Sequence, residues 1–188
     1  MKQHTGDARE ASDLVFLQAA TGDVAPAQRF LAASNPLTEK DTVHIYFDLP
    51  LVRAQLALQA HKPLDAIQQL ELARPYQLRD FNVPNLRAQA ETEAGLLDAA
   101  AEDYRLILAS QGVDPISPLY SLVHLRLARV LVLQKKTEEA RQQYLALFDT
   151  WKNANSNLPL LQTARSEFAK LQQGSSPLAQ TFIGRRAA

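Results

Sequence analysis

At 188 residues, 46% of them hydrophobic, the chain is long enough to bury one sizeable core. Twenty Lys and Arg balance twenty Asp and Glu, which argues against bulk attraction to nucleic acid or to an anionic membrane. The lack of cysteine excludes disulfides, thiolate metal ligands and a cysteine nucleophile, and leaves the redox compartment open.

Residues 1–10 are polar, carry no signal peptide and are expected to be disordered. Two short helices follow over 11–21 and 24–34, broken at Gly22-Asp23, with Pro26 in the first turn of the second and Asn35-Pro36 as its stop. Asp41 or Thr42 caps a longer helix that runs to about His61, and Pro50 inside it predicts a kink or a late start. Pro63 opens the next helix, which ends at about Ala73, before Pro75. After a connector, Pro84 opens a weak helix over 85–94, Gly95 turns the chain, and 97–109 is strongly helical. Two prolines between 112 and 118 make that stretch a loop.

From Pro118 to Leu133 the chain is apolar on most sides, so that helix must be covered on more than one side. Thr137 is the expected N-cap of the helix after it, whose apolar face is Ala140, Tyr144, Leu147, Phe148 and Trp151. A polar turn over 152–157 follows, with Asn157 as the expected cap and Pro159 in the first turn. Leu161, Ala164, Phe168 and Leu171 then form a single stripe, with Arg165, Glu167 and Lys170 facing water; this suits a terminal helix that closes a stack. Residues 173–188 read as a flexible tail. No strand pattern is present. The chain is therefore an all-α domain over 11–172, with hairpins at about 11–34, 43–74, 85–109 and 118–152 and a cap helix at 158–172.

The hairpins share a marker: a small residue followed four positions later by a large one, at Ala27/Leu31, Ala66/Leu70, Ala100/Tyr104 and Ala140/Tyr144. These alanines are 39, 34 and 40 residues apart, and Ala54, Ala88 and Ala128 stand twelve residues upstream of the last three. A period near thirty-four with loop insertions resembles tetratricopeptide (TPR) repeats, best over 121–152, fairly over 47–78 and partly over 81–112, where Glu91 replaces an apolar residue. The order Leu49-Pro50-x-x-Arg53-Ala54, Ala73-Arg74-Pro75-Tyr76, a proline-rich loop, Trp151-Lys152-Asn153-Ala154 and Glu167-Phe168-Ala169-Lys170-Leu171 is similar to the C-terminal repeat region of bacterial membrane-anchored Ser/Thr protein kinases and related regulators. The resemblance implies a right-handed superhelix of antiparallel hairpins. It also implies that this is a piece of a larger signalling protein, with a membrane span upstream and this region outside the cytoplasm. The kinase motifs themselves are missing: there is no Gly-rich loop, no His-Arg-Asp and no Asp-Phe-Gly.

Nothing in the chain has the pattern of a catalytic or metal site. His4, His44, His61 and His124 show no zinc-like spacing and are expected at the surface or in a groove. The carboxylates Glu91/Glu93 and Glu138/Glu139 sit too close in sequence to converge on a helix. No catalytic, metal-binding or cofactor residue is assigned, and no cofactor is expected. LARVLVL, the most apolar run, is too short to span a bilayer, so no membrane insertion by this chain is expected.

The expected function is binding of a protein or peptide, with no catalysis and no nucleic-acid partner. The alternative is a structural role, in which the domain self-associates or packs on its parent; an apolar exposed edge on the first hairpin would favour it. In the resembled family, ligands meet the first helix of each hairpin on the concave side. Carried over, the groove is Asp48, Leu51, Gln55 and Gln59; Leu86, Gln89 and Glu93; and Leu122, Leu125, Arg126, Arg129 and Leu133. Leu51 and Gln55 occupy two places where some members carry the Lys and Asn of a carboxylate clamp, so chaperone-tail recognition is not expected. Arg126 and Arg129 suit an acidic or mixed peptide, unless they pair with carboxylates of a neighbouring helix.

Overall fold

The computed structural model of the protein describes residues 4–34, 40–113 and 117–174. They form an all-α structure of helices α1 (His4–Ala20), α2 (Ala25–Ala33), α3 (Leu49–Gln59), α4 (Pro63–Ala73), α5 (Asn82–Ala94), α6 (Leu97–Ala109), α7 (Leu119–Leu133), α8 (Thr137–Thr150) and α9 (Pro159–Gln172). No strand occurs among the described residues. Part of the 112–118 loop, the Asn35-Pro36 stop and the expected tail from 175 onward lie outside them.

Four of the turns between helices share one backbone geometry. Gly22, His61, Gly95 and Lys135 are left-handed, with φ of 97°, 54°, 79° and 62°. In each case the next residue donates its amide to the carbonyl five positions back: Asp23 to Gln18 at 3.0 Å, and Lys62 to Ala57, Leu96 to Glu91 and Lys136 to Leu131 at 2.8 Å. This bond closes a helix C-terminus. Each marker alanine follows its left-handed residue by five positions, so the turns repeat at the same intervals of 39, 34 and 40. Ala27, Ala66, Ala100 and Ala140, with Ala54, Ala88 and Ala128 upstream, are all wholly buried. Within each unit, at Gly22, His61 and Lys135, the turn reverses the chain, and the alanine just inside the next helix leaves no side chain to hold the paired helices apart.

The chain divides into two compact units, residues 1–96 and 97–188. The boundary falls at Leu96–Leu97, inside the segment expected to form a single hairpin, 85–109. In the first unit α1 packs against α2 and α3, α3 against α4, and α4 against α5. Phe16, Phe47, Leu51, Val52, Leu70 and Val83 are part of its core.

Local chemistry accounts for the boundaries of the first unit. Residues 4–10, expected to be disordered, belong to α1. A polar segment can extend a helix nucleated downstream, because each added residue contributes one hydrogen bond without a new nucleus. The Asp41 carboxylate caps the next helical segment, accepting the amides of Val43 at 2.9 Å and His44 at 3.3 Å. That segment then widens into a π-helical turn, His44–Asp48, where the Leu49 amide bonds the His44 carbonyl. Pro50 has no amide, and in a regular helix its ring would strike the carbonyl four residues back; the wider turn moves that carbonyl aside. The late start of α3 is thus explained by Pro50. Helix α5 starts at Asn82, earlier than the expected 85, with the Asn82 amide held by Asp80 Oδ1 at 2.8 Å. Pro84 is tolerated because it still lies in the first turn, where no amide partner is needed.

In the second unit α6 packs against α7, α7 against α8 and α8 against α9. Helix α7 is buried on several sides, through Val123, Leu125, Leu127, Ala128, Val130 and Leu131 among others. Two expected caps move by one residue. Thr137 is the first residue of α8, after Lys136 at the cap position, since the left-handed turn at Lys135 leads directly into the helix. Leu158, not Asn157, caps α9, because the residue before a proline is pushed into extended geometry; Leu158 has φ −60° and ψ 121°. None of the described helices is long and apolar enough to cross a membrane.

Candidate interaction surface

The groove residues expected from sequence fall into three groups. Leu51, Leu86 and Leu125 are buried, the first two in the hydrophobic cluster of the first unit. Helix α3 packs against α1 and α4, α5 against α3 and α4, and α7 against α6 and α8, and the apolar side chains between these helices are taken into the core. Asp48 and Gln55 are also buried. Gln59 and Glu93 are exposed, whereas Gln89, Leu122, Arg126, Arg129 and Leu133 are half-buried.

Asp48 is engaged within the fold. Its Oδ2 lies 3.2 Å from His44 Nδ1, both side chains are nearly buried, and the Phe30 ring meets the imidazole edge-on at 5.6 Å. The π-helical turn therefore holds a buried polar pair, and the expectation of a surface or groove position for His44 is corrected. A His and an Asp four residues apart before a helix-breaking proline were the available sequence signal. Among the described residues no group of three or more His, Cys, Asp or Glu side chains could hold a metal ion.

The α3/α5 side of the first unit is rich in neutral amides. The Gln59 amide nitrogen donates to the Ala20 carbonyl at the end of α1 at 3.4 Å, and that of Gln89 donates to the Asn85 carbonyl at 3.2 Å. Glu93 Oε2 stands 4.0 Å from His61 Nδ1, both at the surface. Behind this side, buried Arg87 donates to Gln77 Oε1 at 3.0 Å and lies 3.9 Å from Glu71. A buried charge is tolerated when it is paired and hydrogen-bonded.

In the second unit one carboxylate gathers three donors. Arg129 donates from Nε and Nη2 to the two oxygens of Glu167, at 3.0 and 2.8 Å, and the Tyr144 hydroxyl donates to Glu167 Oε2 at 2.9 Å. Helices α7, α8 and α9 meet at that carboxylate. The Phe168 ring sits 5.8 Å from Tyr144 and 5.5 Å from Phe148. Burial, and then the adjoining carboxylate, push the Tyr144 phenol well above its usual value, with Arg129 opposing. Burial depresses the Arg126 guanidinium; Tyr104 works against this and the like charge of Arg129 adds to it.

The expected solvent-facing role of Glu167 is thus corrected. It lies three residues after Ala164 and four before Leu171, on the buried stripe of α9, and a carboxylate on such a stripe signals an internal partner. Arg129 supplies that partner, so this groove arginine pairs with a carboxylate of a neighbouring helix. Its fork is used inside the fold.

Compared with known proteins, the chain matches no family model, no curated protein and no solved structure.

Proposed function

We propose that the chain is a protein- or peptide-binding module of the TPR type, a right-handed superhelix of antiparallel hairpins over 11–172 with α9 as its cap. It forms part of a larger bacterial signalling protein such as a membrane-anchored Ser/Thr kinase, and it carries no catalytic site of its own. One observation supports the repeat reading above the others: the same left-handed turn, followed five residues later by a wholly buried alanine, occurs four times among the described residues. The binding side is that of α3 and α5 in the first unit and that of α7 in the second. Gln59 and Gln89 are among the accessible groove residues of the first unit, and that surface suits peptide backbone more than a strongly acidic side chain.

The test is panning of a displayed random-peptide library against the full chain. Enriched peptides are expected, with affinity falling tenfold or more, about 1.4 kcal/mol, in Gln59→Ala/Gln89→Ala at unchanged helicity. No enrichment, or affinity indifferent to changes on α3, α5 and α7, defeats this reading.

A second reading is self-association. Leu14 and Leu17, one turn apart on α1, are 57% and 60% exposed, an apolar edge on the first hairpin. Light scattering decides it: a concentration-dependent dimer abolished by Leu14→Glu/Leu17→Glu supports it, and a monomer at all concentrations removes it.

A further inference from the structure

We propose that α9 is an internal ligand: its Glu167 and Phe168 fill, within the chain, a site on α7 and α8 made of Arg129, Tyr144 and Phe148 that also takes an acidic-aromatic helix of a partner. This rests on the binding reading above and assigns the regulation of its part in the second unit.

The site has the chemistry of a recognition site. A two-pronged guanidinium and a phenol converge on one carboxylate, and the ring of the next residue lies against two aromatic side chains. Bidentate pairing selects a planar anion, and the aromatic wall selects the side chain beside it. A helix that serves purely as a seal has no need of this. Apolar residues of similar volume close such an interface as well as an ion pair does, without the desolvation penalty. Leu161, Ala164 and Leu171 already provide the apolar seal.

The attachment of α9 also suits a displaceable element. Among the described residues α9 packs along α8 and reaches α7 through the Arg129–Glu167 pair, whereas α7 packs along both α6 and α8. Helix α9 has 14 residues, a length at which an isolated helix is marginal, so it depends on that docking to stay folded. Elements with few packed neighbours open at the low end of a protein's range of local stabilities. A partner helix carrying Glu-Phe on an apolar stripe meets the same three side chains once α9 leaves. Binding then costs the partner the release of α9, so α9 sets the threshold for binding.

A labelled synthetic peptide of residues 157–173 tests this by titration into the full chain. The Glu167→Ala chain is expected to bind it at least tenfold more tightly than the unchanged chain. The gain should vanish when the peptide carries Gln in place of its Glu, or when the chain also carries Arg129→Gln. Hydrogen exchange on the unchanged chain gives a readout free of any folding defect: α9 amides should exchange faster than those of α7 and α8. Equal peptide affinity for the two chains, or α9 amides as protected as those of α7, overturns the proposal. Panned foreign peptides separate it from the reading beneath it. If they bind the unchanged and Glu167→Ala chains alike, the binding function stands and the role of α9 falls. If panning yields no peptide at all, the reading itself fails and this proposal fails with it.

Discussion

The Arg129 guanidinium on α7 holds the Glu167 carboxylate on α9 through two hydrogen bonds of 3.0 and 2.8 Å, and so joins two residues 38 positions apart in the sequence. Glu167 is nearly buried, while a third of the Arg129 side chain is exposed, so solvent weakens the pair without cancelling it. Glu167→Gln should lower stability by about 1–2 kcal/mol, since charge-assisted hydrogen bonds count for more than neutral ones. Thermal unfolding followed by circular dichroism checks it, and an unchanged melting temperature would remove the pair from the list of stabilising contacts.

Tyr144 makes stability depend on alkaline pH. Its phenol is raised in the folded chain by burial and by Glu167, so the folded state keeps a proton that the unfolded chain releases near pH 10. Stability is thus full below the ordinary tyrosine range and falls above it, by about 1.4 kcal/mol per pH unit for this group. In Tyr144→Phe the alkaline loss, read from denaturant unfolding at pH 9 to 11, should be shallower. A slope identical to that of the unchanged chain would show that the phenol is not held as described.

The left-handed turns separate backbone strain from packing. Lys135 adopts φ 62°, a conformation that costs an ordinary L-residue about 1 kcal/mol and glycine almost nothing. Lys135→Gly should therefore raise the melting temperature slightly, and Lys135→Val should lower it. If both variants lowered it equally, the left-handed assignment would be wrong.

Ala128 and Ala140 stand wholly buried on α7 and α8, helices that pack on one another. Overpacking at such a contact costs about 1–3 kcal/mol. Ala128→Phe should melt clearly earlier than the unchanged chain, and Lys135→Ala should not. Equal melting of the two variants would reject close approach of these helices.

Removing α9 by truncation after Asn153 should uncover Tyr144 and Phe148, which Phe168 now covers, and promote aggregation. Truncation after Gln173 should leave the fold intact. A shorter chain that stays monomeric and fully helical by light scattering and circular dichroism would show that α9 contributes no seal.

Helix type and most boundaries were legible because they depend on neighbours in sequence. The ends of α4 and α6 were read from Pro63, Pro75 and the apolar period, and the marker alanines from their spacing. Caps were read less well, since a cap is decided by how the preceding turn delivers the chain. The turn at Lys135 and the extended Leu158 each displaced an expected cap by one residue.

The groove residues illustrate the other limit. Periodicity places Leu51, Leu86 and Arg129 on a helix face, but it does not say which neighbour covers that face. For Leu51 and Leu86 the answer is the hydrophobic cluster of the first unit; for Arg129 it is a carboxylate 38 residues away. Sequence alone determined the all-helical class, the turn positions and the small residues between paired helices, because backbone propensity and side-chain size act locally. Tertiary structure alone decided which polar groups are spent inside the fold, as burial and ion pairing depend on what distant segments bring to within three ångströms.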